Sequence, residues 1–287
     1  MSTSDDAPQS GETLRSKLDP ELPLGVFDSG LGGLTVVREI AAALPNERIV
    51  YLGDTARVPY GARSAQTVVR YALGCARALV REGIKALVVA CNTVSAVALE
   101  PLRAELDIPV IGVIEPGARA AVAASSRLRI GVLGTVGTVA SGAYPRAVLA
   151  VSTRAEVSAH PAPLLVPLAE EGWLDGEVPR LAVRRYLEPL AEAQVDVVVL
   201  GCTHYPLLRA TIEQQARELI GEHVRVVDSA HATASELATL LQERGLRASR
   251  QAPGDIELLV TDRPRSFAEM TARFLGGPPR EVRVIDL

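Results

Sequence analysis

At 287 residues, with 48% apolar and only 3% aromatic side chains, the chain has material for about two domains with Ala-, Val- and Leu-rich cores. A formal net charge of −4 without any basic stripe speaks against nucleic-acid binding as the main task, and three cysteines, an odd number, against a disulfide framework. With no basic-then-apolar leader, and no apolar run near the roughly 18 residues of a membrane span, a cytoplasmic protein that binds no nucleic acid and no membrane is expected.

Residues 1–21 are polar and irregular and are expected to form a disordered tail. The first strand is predicted over Leu22–Phe27 and runs into Asp28-Ser29-Gly30-Leu31-Gly32-Gly33. A helix follows, with Leu34, Val37, Ile40 and Leu44 on one face. A glycine-rich loop in this position leaves backbone N–H groups free to receive an anion, a carboxylate as well as a phosphate. It is not a dinucleotide fingerprint, because Thr35 stands where the third glycine is needed, nor a Walker loop, because no Gly-Lys-Ser/Thr follows. Ile49–Leu52 is the second strand and ends in Gly53-Asp54-Thr55; Val58-Pro59-Tyr60-Gly61 is a turn that brings an aromatic hydroxyl and bare backbone near the strand ends.

Thr67–Glu82 is amphipathic, with Val68, Tyr71, Cys75 and Leu79 in one stripe, which makes Cys75 a core residue. Ala86-Leu87-Val88-Val89-Ala90-Cys91-Asn92-Thr93 reads as a buried strand that ends in a thiol and two polar groups. A helix through Arg103 and a strand from Val110 to Ile114, ending in Glu115-Pro116-Gly117, complete a first unit.

The second unit repeats the first. Ile130-Gly131-Val132-Leu133-Gly134-Thr135 echoes Leu24-Gly25-Val26-Phe27-Asp28-Ser29, an offset of 106 residues from Gly25 to Gly131. Val197-Val198-Val199-Leu200-Gly201-Cys202-Thr203-His204-Tyr205-Pro206 echoes the first cysteine strand, an offset of 111 from Cys91 to Cys202. Two echoes at nearly one offset point to an internal duplication. A strand over Val224–Ser229 and a helix from Ala234 to about Glu243 follow, then a linker over Arg247–Asp255. The strand Ile256–Val260, a helix near residues 266–274 and the strand Val282–Ile285 are too short for a third domain and are predicted to return to the first. The expected fold is therefore α/β, in two pseudo-symmetric halves with mainly parallel sheets and a cleft between them: residues 22–117 plus 226–287, and 118–225.

Ligands of open α/β sheets bind at the carboxyl ends of the strands, which is where Cys91 and Cys202 fall. Three uses of two such thiols are open. Cys91, Cys202 and His204 could ligate zinc, although Cys-x-His spacing suits one metal poorly and no fourth ligand is evident. One thiolate could be a covalent nucleophile with His204 as its base, which leaves the other cysteine idle. Or the thiols flank a substrate carbon, one removing a proton and the other returning one from the opposite face, which alone employs both. Asp28 would raise the pKa of a neighbouring thiol and so suits Cys91 as the acid; it could also bind a substrate ammonium. His204 is placed to steady Cys202. Ser29, Asn92, Thr93 and Thr203 are uncharged donors suited to a dicarboxylate. His160, His223 and His231 have no comparable setting.

Four motifs, in order, resemble the glutamate racemases: Gly25-Val26-Phe27-Asp28-Ser29-Gly30-Leu31-Gly32-Gly33-Leu34; Tyr51-Leu52-Gly53-Asp54-Thr55 with Pro59-Tyr60-Gly61; Ala90-Cys91-Asn92-Thr93; and Leu200-Gly201-Cys202-Thr203-His204-Tyr205-Pro206. They cover about residues 24–230. The resemblance implies a racemase that needs no cofactor and no metal, interconverts L- and D-glutamate and supplies D-glutamate for peptidoglycan. It implies that Cys91 and Cys202 are the acid/base pair, Cys202 being the base towards L-glutamate, and that Asp28 and His204 assist them. Asp28, Ser29, Tyr60, Gly61, Asn92, Thr93, Thr203 and His204 would hold the substrate, and Thr135 and Thr138 match a hydroxyl pair of the family. Two three-layer αβα domains with a returning C-terminal segment are implied as well. Ala162 stands where many relatives carry a cysteine before Pro163-Leu164, and the polar N-terminal tail is longer than usual; neither touches the four motifs. The alternatives are a racemase of the same superfamily acting on aspartate or another amino acid, and a non-catalytic zinc- or anion-binding regulatory protein. A homodimer is compatible with the sequence, since a self-association patch has the pattern of any other apolar surface.

Overall fold

Short β-branched runs and Ala-rich amphipathic helices alternate along the chain, and in the computed structural model, which describes residues 18–276, 278 and 280–287, they build two parallel sheets. The first unit runs β1 (Leu24–Asp28), α1 (Leu34–Ala43), β2 (Ile49–Gly53), α2 (Ala65–Arg81), β3 (Ala86–Val89), α3 (Asn92–Val97), α4 (Leu99–Glu105) and β4 (Val110–Gly112). Helix α5 (Ile114–Ala124) leads into β5 (Arg129–Gly134), α6 (Val136–Ala140), α7 (Ala143–Val151), β6 (Glu156–Pro161), α8 (Leu165–Glu171), α9 (Glu177–Glu192), β7 (Val197–Gly201), α10 (Arg209–Leu219) and β8 (Arg225–Asp228). Helix α11 (Ser229–Glu243), β9 (Ile256–Val260), α12 (Pro264–Leu275) and β10 (Val282–Val284) follow.

The sheet orders are β10-β9-β2-β1-β3-β4 and β6-β5-β7-β8, and every pair is parallel. The echo in the sequence is thus an echo in topology: β2-β1-β3-β4 and β6-β5-β7-β8 are the same arrangement, with β3 and β7 each leading to a cysteine. The two C-terminal strands extend the first sheet beyond β2.

Alternation along each strand feeds a core on either face. Leu24 and Val26 of β1 pack with Leu34, Val37 and Ile40 of α1 and Leu237 and Leu241 of α11. Phe27, Leu87 and Val89 pack on the other face with Val68, Cys75 and Leu79 of α2. In the second sheet, Leu133, Val198 and Leu200 meet α8–α10, while Ile130, Val132, Val197 and Val199 meet α5 and α7. Each sheet therefore lies between helices, in three layers.

Several boundaries differ from the sequence reading. β4 stops at Gly112, and Glu115-Pro116-Gly117, read as the end of a strand, form the first turn of α5. Proline is tolerated there because its missing N–H would have no partner inside the helix. The single helix expected through Arg103 is two, α3 and α4. Helix α11 begins at Ser229 rather than near Ala234, because Asp228 caps it by accepting from the Ala230 and His231 amides. Strand β8 pairs with β7, so the chain leaves the second sheet after Asp228, not at 226. Of the expected tail, residues 1–17 lie outside the described residues; Pro20 and Glu21 are tied down, the Pro20 carbonyl by Lys85 and the Glu21 carboxylate by Ser249 and Arg250.

Candidate active site

Register brings the polar strand ends together. Phe27 pairs with both Leu52 and Val89, which sets Asp28 beside the β3 end two residues before Cys91. Gly134 pairs with Gly201, so Thr135 and Cys202 emerge side by side from the second sheet. The two sets face a single cavity of about 360 Å³, lined by Ser29, Tyr60, Gly61, Cys91, Asn92, Thr93, Thr135, Cys202, Thr203 and His204, with Val58, Pro59, Val136, Pro163, Val166, Pro167 and Glu170 among its other walls. That volume suits a small metabolite. Both thiols are buried, and Cys75 is a core residue of α2 away from this cavity.

The glycine loop does not wait for a ligand, as expected, but takes an anion from its own chain. The Gly30 and Gly33 amides donate to Asp28 Oδ2 at 3.2 and 3.1 Å. Asp28 is fully buried behind the cavity wall, and its Oδ1 has no hydrogen-bond partner among the described residues. Tyr51 of β2 pins the loop by donating to the Gly30 carbonyl at 2.7 Å. Gly32 is needed for close approach: a Cβ there would fall 2.3 Å from Thr203 Oγ1 and 2.6 Å from His204 Nδ1. Thr35, in the first turn of α1, donates to the Thr203 carbonyl at 3.1 Å. The first loop and the second cysteine loop are thus interlocked.

The two thiols stand in unlike surroundings. Burial, then the Asp28 charge, pushes the Cys91 thiol up to about 12, and Cys91 Sγ lies 3.7 Å from Ser29 Oγ. Cys202 Sγ lies 3.8 Å from His204 Nδ1, while His204 Nε2 lies 3.1 Å from Glu170 Oε1. Burial opposes a charge on His204, but the hydrogen bonds to Cys202 and Glu170 outweigh it and its pKa is pushed up to about 10. The Phe274 ring packs edge-on against the imidazole, with centroids 6.0 Å apart. The raised His204 pKa puts a cationic imidazole beside Cys202, whereas the charged group beside Cys91 is the Asp28 carboxylate.

Tyr205, next in the chain, anchors this loop by donating to the Ala162 carbonyl at 2.8 Å and the Gly134 carbonyl at 3.1 Å. Thr93 contributes across the cleft, its hydroxyl 3.0 Å from Thr135 Oγ1 and 3.4 Å from Thr138 Oγ1. Tyr60 lines the cavity, but its hydroxyl donates to Asp54 and is not free for a ligand. Burial, followed by the Cys75 and Asp54 charges, raises its pKa far above the ordinary tyrosine value. Among the described residues, no three His, Cys, Asp or Glu side chains converge as a metal cluster.

Of the acid/base and substrate-holding residues named from the sequence, all but Asp28 line the cavity and Asp28 supports its wall; of the hydroxyl pair, Thr135 lines it and Thr138 lies behind, 3.0 Å from Thr135 Oγ1. Sequence reasoning missed Glu170, Asp54 and the apolar walls. Glu170 precedes another glutamate on an amphipathic helix, where it reads as a solvated charge. Asp54 stood in a quoted motif, but only the folded turn gives it Tyr60 and Arg57 as partners.

A doubly repeated three-layer fold with a thiol from each half in one cleft defines a class of two-thiol, pseudo-symmetric α/β enzymes. Residues 24–237 match the family model Asp/Glu/hydantoin racemase. The glutamate racemase of Geobacter metallireducens is 51% identical over 268 residues, 93% of this chain and 98% of that protein. The crystal structure of glutamate racemase isoform RacE1 from Bacillus anthracis superposes with a TM-score of 0.88 at 41% identity, covering 93% of this chain and 98% of that one. That of glutamate racemase from Francisella tularensis in complex with D-glutamate gives 0.85 at 33% identity, with the same coverage. The chain belongs to the Asp/Glu/hydantoin racemase family and is a racemase, an isomerase.

Proposed function

We propose that the chain interconverts L- and D-glutamate by a two-base 1,1-proton transfer between Cys202 and Cys91. The observation that carries this reading is the pair of thiols on one cavity in opposite electrostatic settings. Starting from L-glutamate, the Cys202 thiolate takes the α-hydrogen as a proton, and the Cys91 thiol gives its proton to the opposite face of the carbanion. The thiol and thiolate have then changed places, which is the starting state for D-glutamate. The α-hydrogen beside an ionised carboxylate is only weakly acidic, so the site must supply preorganised donors and exclude water. Ser29, Asn92, Thr93 and Thr203 are the donors in this reading, and the mostly exposed valine and proline walls cover the substrate once the two halves close. Asp28, buried behind the cavity wall, acts on the Cys91 thiol through its charge, and the His204 imidazole stands beside Cys202 as its cationic partner. Residues 22–117 with 229–287, and 118–228, act as two domains that close on the substrate. A cytoplasmic role supplying D-glutamate for peptidoglycan follows from this activity.

Relatives bearing the name glutamate racemase support glutamate over aspartate, and relative turnover of the two dicarboxylates tests the choice. The Cys202–His204–Glu170 row has the parts of a thiol hydrolase, but that chemistry leaves Cys91 idle in the same cavity. In deuterated water, D-glutamate formed from L-glutamate is expected to carry deuterium at the α-carbon. Retained α-protium would point to a single shared base. Cys91→Ala and Cys202→Ala are each expected to abolish racemisation while leaving the fold intact; substantial turnover by either would overturn the assignment.

A further inference from the structure

Asn92 follows Cys91 directly, is almost fully buried, and among the described residues has no hydrogen-bond partner for Nδ2. Its other amide atom is taken: Tyr144 of α7 donates to Asn92 Oδ1 at 2.7 Å. Tyr144 belongs to a helix packed on the second sheet, so this bond crosses between the two halves. The ring of the same tyrosine lies against Gly201, the residue before Cys202, where an added Cβ would meet Tyr144 Cε2 at 3.0 Å. One buried side chain thus touches the residue after one cysteine and the residue before the other.

We propose that Tyr144 is a positioning residue that orients the Asn92 amide towards the substrate and sets the spacing of the two cysteine loops. An amide side chain presents an acceptor at one end and donors at the other. With Oδ1 held by the tyrosine hydroxyl, only the Nδ2 donors are left for the cavity, the correct polarity for a substrate carboxylate. Burial raises the Tyr144 pKa, so the hydroxyl keeps its proton as a donor throughout the working pH range. The ring, lodged on the bare backbone of Gly201, stops the second cysteine loop from moving closer, and the hydroxyl holds the first. The inference deepens the racemase reading and rests on it.

Tyr144→Phe keeps the ring and removes only the hydroxyl. Its KM for glutamate is expected to rise about 10-fold in both directions, equivalent to about 1.4 kcal/mol, with kcat within about 2-fold and the melting temperature unchanged. Calorimetry should report a matching loss in D-glutamate affinity, a readout that does not depend on turnover. In an Asn92→Ala background the same change should cost nothing further, because the tyrosine acts through that amide. Tyr144→Leu, which also removes the spacer, is expected to lower kcat about 100-fold. Wild-type KM and affinity in Tyr144→Phe, or an undiminished effect in the Asn92→Ala background, would overturn the proposal while the racemase reading stands. A wild-type protein that neither binds nor turns over glutamate would overturn both.

Discussion

At the scale of single residues, the site places one chemical type in two unlike surroundings, on which the proposed division of roles rests. Cys91 and Cys202 are the same side chain, yet a buried carboxylate lies behind one and an imidazole beside the other. Activity is accordingly expected to fall as pH rises through about 10, where His204 loses its proton and Cys202 its cationic neighbour; Cys91 keeps its proton towards 12. The kcat/KM profile checks this. Glu170→Gln removes a group that raises the His204 pKa, so the alkaline limb should move to lower pH. The linkage has the same sign: a group whose pKa is higher in the folded chain stabilises fully below its unfolded value, about 6.5 for histidine. That stabilisation is lost as pH rises towards 10, so the difference in melting temperature between wild type and Glu170→Gln should narrow over that window. Alkylation at pH 8 followed by peptide mapping should label Cys202 ahead of Cys91 and Cys75, since burial pushes both of the latter to about 12.

At the scale of elements, glycines decide how close the strand-end loops come. Gly32 and Gly74 make opposite cases. A Cβ at Gly32 would collide with Thr203 and His204, whereas one at Gly74, inside α2, would meet nothing within 4 Å. Gly32→Ala is therefore expected to push the two loops apart and reduce kcat/KM at least about 100-fold, the scale on which misplacement of reacting groups by about 1 Å is felt. Gly74→Ala should raise stability by roughly 0.5–1 kcal/mol without touching activity. Steady-state kinetics and urea melts on the two variants separate these outcomes. Helix α12 belongs with the site as well, because Phe274 packs on His204 and Arg273 donates to the Glu170 carbonyl at 2.5 Å.

At the scale of the whole molecule, the repeat supplies the two faces of the cleft, and the C-terminal segment secures the first sheet. Lys85, fully buried at the start of β3, pairs with Glu47 at 2.5 Å and donates to the Pro20 carbonyl at the same distance. Glu47 also accepts from the Ala248 amide at 2.8 Å. This one pair joins the segment before β1, the approach to β2, the start of β3 and the linker after α11. Lys85→Met would leave a buried carboxylate without its counter-charge and is expected to destabilise by about 3–5 kcal/mol, with KM little changed in the fraction still folded. Chemical denaturation reads the first and kinetics the second; a loss below about 1 kcal/mol would show the pair to be dispensable.

What was legible beforehand came from local pattern. The strand over Val197–Gly201, the stripe that buries Cys75, the two cysteine ends and the duplication follow from spacing, because periodic burial writes itself into adjacent residues. The polar residues lining the cavity could mostly be named, since they stand at strand ends or in the Pro-Tyr-Gly turn, whereas its apolar walls and Glu170 could not. Contacts between distant segments leave no such trace. Nothing near Glu170 announces His204, nothing near Tyr144 announces Asn92, and the glycine loop reads as an open anion site until Asp28 folds into it. Chain order determined which groups would meet at the cleft; only packing of the two halves decided their hydrogen-bond partners, and with them the unlike surroundings of the two thiols.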